Sequence, residues 1–320
     1  MKNKNGVMSV NAIIEKITEQ IQEGIYPGAS LALYRNGQWS EHYLGLADPE
    51  KGESVVADLV YDLASVSKVV GVATICAFLY AKGELALDRS FKELYPRFAH
   101  EKTTIRELLT HTSGLDPFIP NRDQLDARQL KTALENLQLK EDKSFHYTDV
   151  NFLLLGFWLE DRFHQPLDRL FEELIFTPWK MTETRFGPVE KAVPTVRGLA
   201  SGSVHDPKAR VLGCHAGSAG LFSTVADLER FLEHYLRDDF ARDLSQNFAY
   251  EEGKTRALGW NLEGDWLDHT GYTGTFIMYN RKSQEAVIFL SNRTYEKDER
   301  AQWILDRNSL MDLIKQECEK

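Results

Sequence analysis

From Val69 to Ala81 the chain is apolar on nearly every side, with Val69, Val70, Val72, Ala73, Ile75, Cys76, Phe78 and Leu79 leaving no continuous polar face. A helix of this kind has to be enclosed by other elements, so it marks the middle of a core and not its rim. The same stretch opens with Ala64-Ser65-Val66-Ser67-Lys68. Positions three apart on an α-helix share a face, so the Ser65 hydroxyl and the Lys68 amine point the same way. A lysine at the buried start of an apolar helix needs a reason, because desolvation favours its neutral form. The sequence therefore predicts a lysine of lowered pKa that takes the proton of Ser65. Backbone N–H groups at the helix start would favour the negative charge that develops. Ser-x-x-Lys alone is a weak signal, since a capping serine followed by a solvated lysine reads the same way.

Bulk properties narrow the function. The 320 residues carry a formal net charge of −10 with no basic run or aromatic–basic stripe, which speaks against a general nucleic-acid binder. With 42% hydrophobic residues the chain can bury one large core or two modest ones. After a polar start from Met1 to Asn11, Ile13, Ile14, Ile17 and Ile21 recur at helical spacing, an amphipathic helix unlike a signal peptide's continuous apolar region. The longest apolar run, within Val69 to Ala81, reads as too short to span a bilayer. The expectation is a soluble, cytoplasmic protein without a membrane span. Cys76, Cys214 and Cys318 match no metal spacing, and Cys76 reads as core. His205-Asp206 and His215 come nearest to a metal cluster but read as a hydrogen-bonded loop, so neither a metal nor an organic cofactor is expected.

Strand signals lie at the two ends. Ala29–Tyr34 and Gln38–Leu46 flank Asn36-Gly37, a type I′ hairpin signal. Leu258–Leu262, Thr275–Tyr279 and Ala286–Leu290 read as strands near the C-terminus. Between them the pattern is mainly helical, with Thr104–His111, Asp126–Leu137, Asn151–Phe163 and Leu167–Phe176 as helices. Gly213–Gly220 is a small-residue loop before a helix over Thr224–Leu236, with Thr224 as cap and Asp227 as capping-box acid. A last amphipathic helix carries Trp303, Ile304, Arg307, Leu310, Met311 and Ile314. The fold class is α/β of the α+β kind: an antiparallel sheet built from both termini, flanked by helices, with an inserted helical lobe and a cleft at the junction.

Two more segments carry chemistry. Tyr147-Thr148-Asp149 sits between a loop and a helix, where a tyrosine can project into a cleft and shuttle a proton beside an ammonium. Read alone, it is a half-buried tyrosine with a bonded hydroxyl. His269-Thr270-Gly271 reads as a turn before a strand, where small Gly271 lets a substrate approach edge-strand backbone. The N–H of Tyr272 would be a second oxyanion donor beside that of Ser65.

Ser-x-x-Lys, Tyr-x-Asp and His-Thr-Gly, in this order, resemble the serine β-lactamase and penicillin-binding-protein superfamily. The resemblance is to its class C β-lactamase-related subgroup, which includes family VIII esterases, D-aminopeptidases and D-alanyl-D-alanine carboxypeptidases. Leu108–Leu115 (LLTHTSGL), Tyr147–Gly156, Ala219–Thr224 and His269–Gly274 carry it, within a stretch from roughly residue 25 to 295. It implies a β-lactamase/transpeptidase-like fold in one domain over 1–320, with an α/β lobe at about 1–68 and 215–320 and a helical lobe at about 69–214. It also implies Ser65 as the acylated nucleophile, Lys68 as its base partner and Tyr147 as the catalytic tyrosine. Asp149, His269, Gly271 and Tyr272 then face the substrate, while Leu108–Leu115, with His111, shapes the helical lobe.

Two departures narrow the expected substrate. Asp149 stands where the subgroup usually has an amide-donating asparagine, and an ionised carboxylate only accepts. His269 replaces a lysine, and a free histidine is only roughly a quarter charged at pH 7. If His269 meets a substrate carboxylate, affinity for acidic substrates should rise as pH falls through its pKa. The expected partner is a small-molecule ester, amide or short peptide, hydrolysed through an acyl-enzyme. A D-stereospecific peptidase or carboxypeptidase, or a weak penicillin-binding β-lactamase, is the alternative; a non-catalytic ligand-binding protein of the same fold is the rival class.

Overall fold

The computed structural model describes residues 10–250 and 254–319. The polar stretch before Val10 lies outside them. Asn36 and Gly37 both have positive φ, 53° and 81°, as a two-residue I′ hairpin requires. They join β1 (Gly28–Arg35) to β2 (Gln38–Asp48) in antiparallel register, with Tyr34 opposite Trp39. The large sheet continues with β3 (Glu53–Ser54) at one edge, and its other half comes from the C-terminal part. β1 pairs directly with β10 (Glu285–Ser291), Ala29 opposite Ser291, so the two ends of the chain meet at the centre of the sheet. β9 (Phe276–Asn280), β8 (Trp266–Thr270) and β7 (Asn261–Glu263) complete the order β3-β2-β1-β10-β9-β8-β7. The sheet built from both termini is as expected.

Alternation sorts the side chains of β1 and its neighbours onto two faces. Leu31, Leu33, Met278, Val287 and Phe289 pack with Ile13 and Ile17 of the Val10–Gln22 helix and with Trp303, Leu310 and Ile314 of the Arg300–Cys318 helix. Ala32, Tyr34, Ile277, Tyr279, Ile288 and Leu290 face the main core, which includes Leu228, Phe231, Leu232 and Tyr235 of the Val225–Arg237 helix. Both faces are covered, which is why β9 and β10 are buried at every position.

Three elements differ from their expected form. Leu258–Leu262 is a strand only at Asn261–Glu263, because Gly259 (φ 85°) turns the chain so that its N–H reaches the Leu109 carbonyl at 3.1 Å. His269-Thr270 is the end of β8 and not a turn; Asp268 and His269 disguise a strand that pairs along its whole length with β9, and over Trp266–Asp268 with β7. Asp227 closes no capping box: Thr224 Oγ1 accepts the Asp227 N–H at 3.3 Å, while the Asp227 carboxylate accepts from Glu183 N–H and Thr184 Oγ1, each at 2.8 Å.

The helices Ile105–Thr110, Ala127–Glu135 and Val150–Phe163 lie where expected, and the first two begin with complete capping boxes, Thr104/Glu107 and Asp126/Gln129. Caps of this kind contribute about 1 kcal/mol each. Leu167–Phe171 widens into a π turn over Glu172–Phe176. The Ala64–Ala81 rod is long and apolar enough to cross a membrane by length and composition, which corrects the expectation of too short a run, but 78% of it is buried inside the protein. Cys76 lies within that core.

A second, small sheet positions the cleft. β4 (Tyr61–Asp62), β6 (Leu221–Ser223) and β5 (Arg185–Phe186) pair in the order β4-β6-β5. Leu63 N–H donates to Leu221 O at 2.9 Å, and Leu221 N–H donates to Ser67 Oγ at 3.1 Å. The Gly213–Gly220 loop is thereby tied beside Ser65.

Candidate active site

Ala64, the residue before Ser65, has φ 46°. A side chain in the left-handed region costs roughly 1–2 kcal/mol, so neighbouring bonds must hold it. Asp62 Oδ1 accepts the Ala64 N–H at 2.8 Å and Oδ2 accepts the His205 N–H at 2.7 Å. Thr273 Oγ1 donates to the Asp62 carbonyl at 2.9 Å and Thr275 Oγ1 to the Leu63 carbonyl at 3.0 Å. Burial pushes the Asp62 carboxyl up to about 6, against the pull of the His205 and Ala64 N–H groups.

Ser65 and Lys68 do not share an α-helical turn. A 3-10 turn over Ala64–Val66 is followed by a short α stretch at Ser67 and Lys68, a π turn over Val69–Ala73 and the α-helix from Thr74. Ser65 in the 3-10 turn and Lys68 just beyond it still face the same way, and Lys68 Nζ donates to Ser65 Oγ at 2.9 Å. The expected pairing stands on a different helix form.

Lys68 is fully buried, and each of its three N–H bonds has an acceptor: Ser65 Oγ, Asp149 Oδ1 at 2.7 Å and the Ser218 carbonyl at 2.9 Å. Burial alone would lower its pKa. The adjacent Asp149 and Tyr147 outweigh burial and hold it above the ordinary lysine range. This corrects the expectation of a lysine tuned down towards neutrality. Asp149 also serves a second cation, with Lys208 Nζ 3.3 Å from its Oδ2. Burial would raise the Asp149 carboxyl, but Lys68 and Lys208 hold it below the usual carboxylate range. Ser65–Lys68–Asp149–Lys208 is thus a chain of compensated charge, and Asp149 acts first as a clamp on two lysines.

Tyr147 projects into the cleft, 37% exposed, with its ring centroid 5.2 Å from Lys68 Nζ. The His111 ring lies against it at 4.6 Å. His111 sits in a left-handed cap (φ 59°), and its Nδ1 faces Asn151 Nδ2 at 3.1 Å and the Thr148 N–H at 3.4 Å. Two donors on Nδ1 place the ring proton on Nε2. Burial, with Arg256 and Lys68 nearby, pushes His111 well below the ordinary histidine range. The Leu108–Leu115 segment therefore supplies a neutral prop for Tyr147, in line with its structural reading.

His269, on the other side of Tyr147 at 6.2 Å between ring centroids, is buried. Its Nδ1 lies 3.1 Å from the Thr270 carbonyl, so that nitrogen donates and Nε2 is the unprotonated acceptor. Burial and then Lys68 push it well below the ordinary range. The ring is neutral at working pH, so the expected pH-dependent hold on an acidic substrate does not arise from it.

Gly271 is required by closeness to the nucleophile turn. A Cβ there would stand 2.6 Å from the Leu63 carbonyl oxygen and 2.1 Å from Thr275 Oγ1. Tyr272 N–H and Ser65 N–H carry no hydrogen bond among the described residues, while Ala64 and Val66 N–H beside them are bonded. Two cavities meet at Ser65 and Tyr147: one of about 280 Å³ bounded by Phe145, His269 and the Arg300–Cys318 helix, and one of about 610 Å³ bounded by Asp149, His205 and Lys208.

Lys208, the Ser218 carbonyl and Asn151 were invisible to sequence reasoning. No spacing rule ties residue 208 to residue 149, and a carbonyl leaves no trace in residue type. The nearest candidates for a metal cluster do separate work: Asp206 caps the Pro207–Leu212 helix, and His215 Nδ1 meets Glu160 at 2.6 Å.

A family model described as Beta-lactamase matches residues 13–310. The chain belongs to the β-lactamase family. It is accordingly a hydrolase of the serine β-lactamase fold. A candidate D-alanyl-D-alanine carboxypeptidase of Escherichia coli strain K12 is 27% identical to this family member, covering 90% of this chain and 83% of its own. Among solved structures, a β-lactamase/D-alanine carboxypeptidase from Pseudomonas syringae superposes with a TM-score of 0.73 at 20% identity, over 94% of this chain and 98% of that one. EstCE1, described as a hydrolase with promiscuous acyltransferase activity, gives 0.75 at 19% identity, over 95% and 98%. At these identities the structural likeness shows the fold.

Proposed function

We propose that this family member hydrolyses a small carboxyl ester or amide through an acyl-enzyme on Ser65. The observation that carries the reading is the 2.9 Å contact from a buried Lys68 to Ser65 Oγ. Because Lys68 keeps its proton, it acts as a fixed positive charge that stabilises the developing alkoxide, and the proton of Ser65 passes to Tyr147. Tyr147 Oη accepts that proton as Ser65 Oγ bonds to the carbonyl carbon, and its own proton goes to the leaving oxygen or nitrogen. The N–H groups of Ser65 and Tyr272 hold the oxyanion, where loss of one donor typically costs about 3–4 kcal/mol. In deacylation the relay runs backwards: water gives a proton to Tyr147, Tyr147 returns one to Ser65 Oγ, and the acid product leaves.

Carboxypeptidase activity is the second reading, supported by the name of the Escherichia coli relative over 90% of the chain. β-Lactams rank below both, because Asp149 is engaged by two lysines and His269 is neutral. The test is intact-protein mass after exposure to a fluorophosphonate, a p-nitrophenyl ester, a D-alanyl amide and a penicillin. The parent should take one fluorophosphonate adduct and Ser65→Ala none. Equal labelling of the two proteins sinks the assignment. No adduct and no product from any compound points to a ligand-binding protein of this fold.

A further inference from the structure

Lys68 and Lys208 hold the same carboxylate, but their remaining donors differ. Lys68 is fully buried, and each of its three N–H bonds has an acceptor. The Lys208 side chain is 15% exposed, and its only partner among the described residues is Asp149 Oδ2, 3.3 Å from Nζ. An ammonium has three donors, so two of them have no acceptor among the described residues. Lys208 lines the cavity of about 610 Å³ that opens on Ser65 and Tyr147. A mostly buried ammonium with unfilled donors is unfavourable unless a ligand or water accepts from it.

The backbone that carries Lys208 is tied to the nucleophile turn. Asp62 accepts the Ala64 N–H through Oδ1 at 2.8 Å and the His205 N–H through Oδ2 at 2.7 Å. Asp206 then caps the Pro207–Leu212 helix, its Oδ1 accepting the Ala209 N–H at 2.8 Å. One buried carboxylate thus sets both Ser65 and the entry to the helix of Lys208, while Asp149 holds the far end of that lysine. The free donors are therefore held in place before a substrate arrives, which lowers the cost of binding. Asp149 itself only accepts, and both its oxygens are engaged. A hydrogen bond that an amide at position 149 would give has to come from a neighbour, and Lys208 has the capacity left.

We propose that Lys208 donates to a carbonyl oxygen in the acyl part of the substrate, lodged in the larger cavity. Acyl groups that carry an amide or keto acceptor are then selected over plain alkyl groups and over free amines. A substrate ammonium in that place would face Lys208 and find both Asp149 oxygens taken. An N-acylated amino acid, or a residue within a peptide, offers the required carbonyl; an unblocked amino terminus does not. The link to turnover rests on Ser65 being the acylated nucleophile, whereas the donor at Lys208 stands without it.

The test is kcat/KM for the phenyl esters of N-acetylglycine, 4-oxopentanoic acid, pentanoic acid and glycine, each divided by its uncatalysed hydrolysis rate. The first three acyl chains have the same length, and only the first two carry the acceptor. The parent should favour those two over pentanoate by about tenfold, as one charge-assisted contact supplies, and should turn over the glycine ester slowest. Lys208→Met should remove that preference, and Lys208→Gln, which keeps a neutral donor, should retain part of it. Pentanoate reports any effect that reaches Lys68 through Asp149, so the ratio reads the Lys208 contact. A ratio unmoved in Lys208→Met, or a glycine ester hydrolysed faster than its N-acetyl form, overturns the proposal. If the parent turns over no ester, the acyl-enzyme reading fails by itself. In that case 4-oxopentanamide should still bind the Ser65→Ala protein about tenfold tighter than pentanamide in calorimetry, and equal affinity overturns the donor assignment.

Discussion

Two walls of the same cleft treat charge in opposite ways. Around Ser65 the buried charges are held by fixed partners: Lys68 and Lys208 share Asp149, and Asp62 accepts from the Ala64 and His205 N–H groups. Along the Arg300–Cys318 helix, Arg300 and Arg307 face the cavity with no carboxylate of their own among the described residues. The compensated wall fixes protonation states and geometry before any substrate arrives. The difference separates groups whose charge is balanced within the protein from groups whose charge is open to the cleft.

The largest expected effect comes from breaking compensation at its centre. Asp149→Ala leaves Lys68 buried beside Ser65 without its carboxylate, and removing one member of such a pair costs about 3–5 kcal/mol. Denaturant unfolding should show a loss of that order, with Lys68 shifting towards its neutral form. A loss below about 1 kcal/mol would mean that Ser218 and Ser65 suffice to hold the ammonium. Lys208→Met removes the outer member only. Asp149 keeps Lys68 in that variant, so the expected stability loss is about 1–2 kcal/mol, with the Asp149 carboxyl titrating closer to its ordinary value.

Asp62 gives a pH test of the same wall. Its folded pKa of about 6 is above the unfolded value of about 3.9. The folded state therefore binds more protons between these values, and stability from this group falls as pH rises from about 4 to 6. Activity should move in the opposite sense. Protonation turns one carboxylate oxygen into a donor, so it can no longer accept from both the Ala64 and His205 N–H groups, and the turn carrying Ser65 loosens. An acid limb in kcat near pH 6, absent or displaced in Asp62→Asn together with lower kcat, is the expected profile; an unmoved limb in that variant assigns it elsewhere. The smallest effect is at Ala64→Gly, which relieves the left-handed φ of 46° and should add up to about 1 kcal/mol of stability. Lower kcat despite that gain would show that the strain positions Ser65.

The residue types of the reacting centre and the elements that carry them were legible in the chain. Ser65 and Lys68, Tyr147 at a loop–helix junction, the Asn36-Gly37 hairpin and the Thr104 cap all depend on neighbours within a few positions, where φ/ψ preference and side-chain spacing act. The strand at His269 was not legible, because Asp268 and His269 are polar and the pairing with β9 that makes it a strand is not written in its own alternation. The direction of the Lys68 titration was also hidden. Burial, which sequence hydrophobicity signals, lowers it; Asp149, 81 residues away, decides the sign. By itself the sequence determined which groups this protein has for acyl transfer and which helix buries them. Only the tertiary structure decided their charges and the arginine wall opposite. Coulomb energy depends on distance through folded space, and Lys68, Asp149 and Lys208 come from separate parts of the chain.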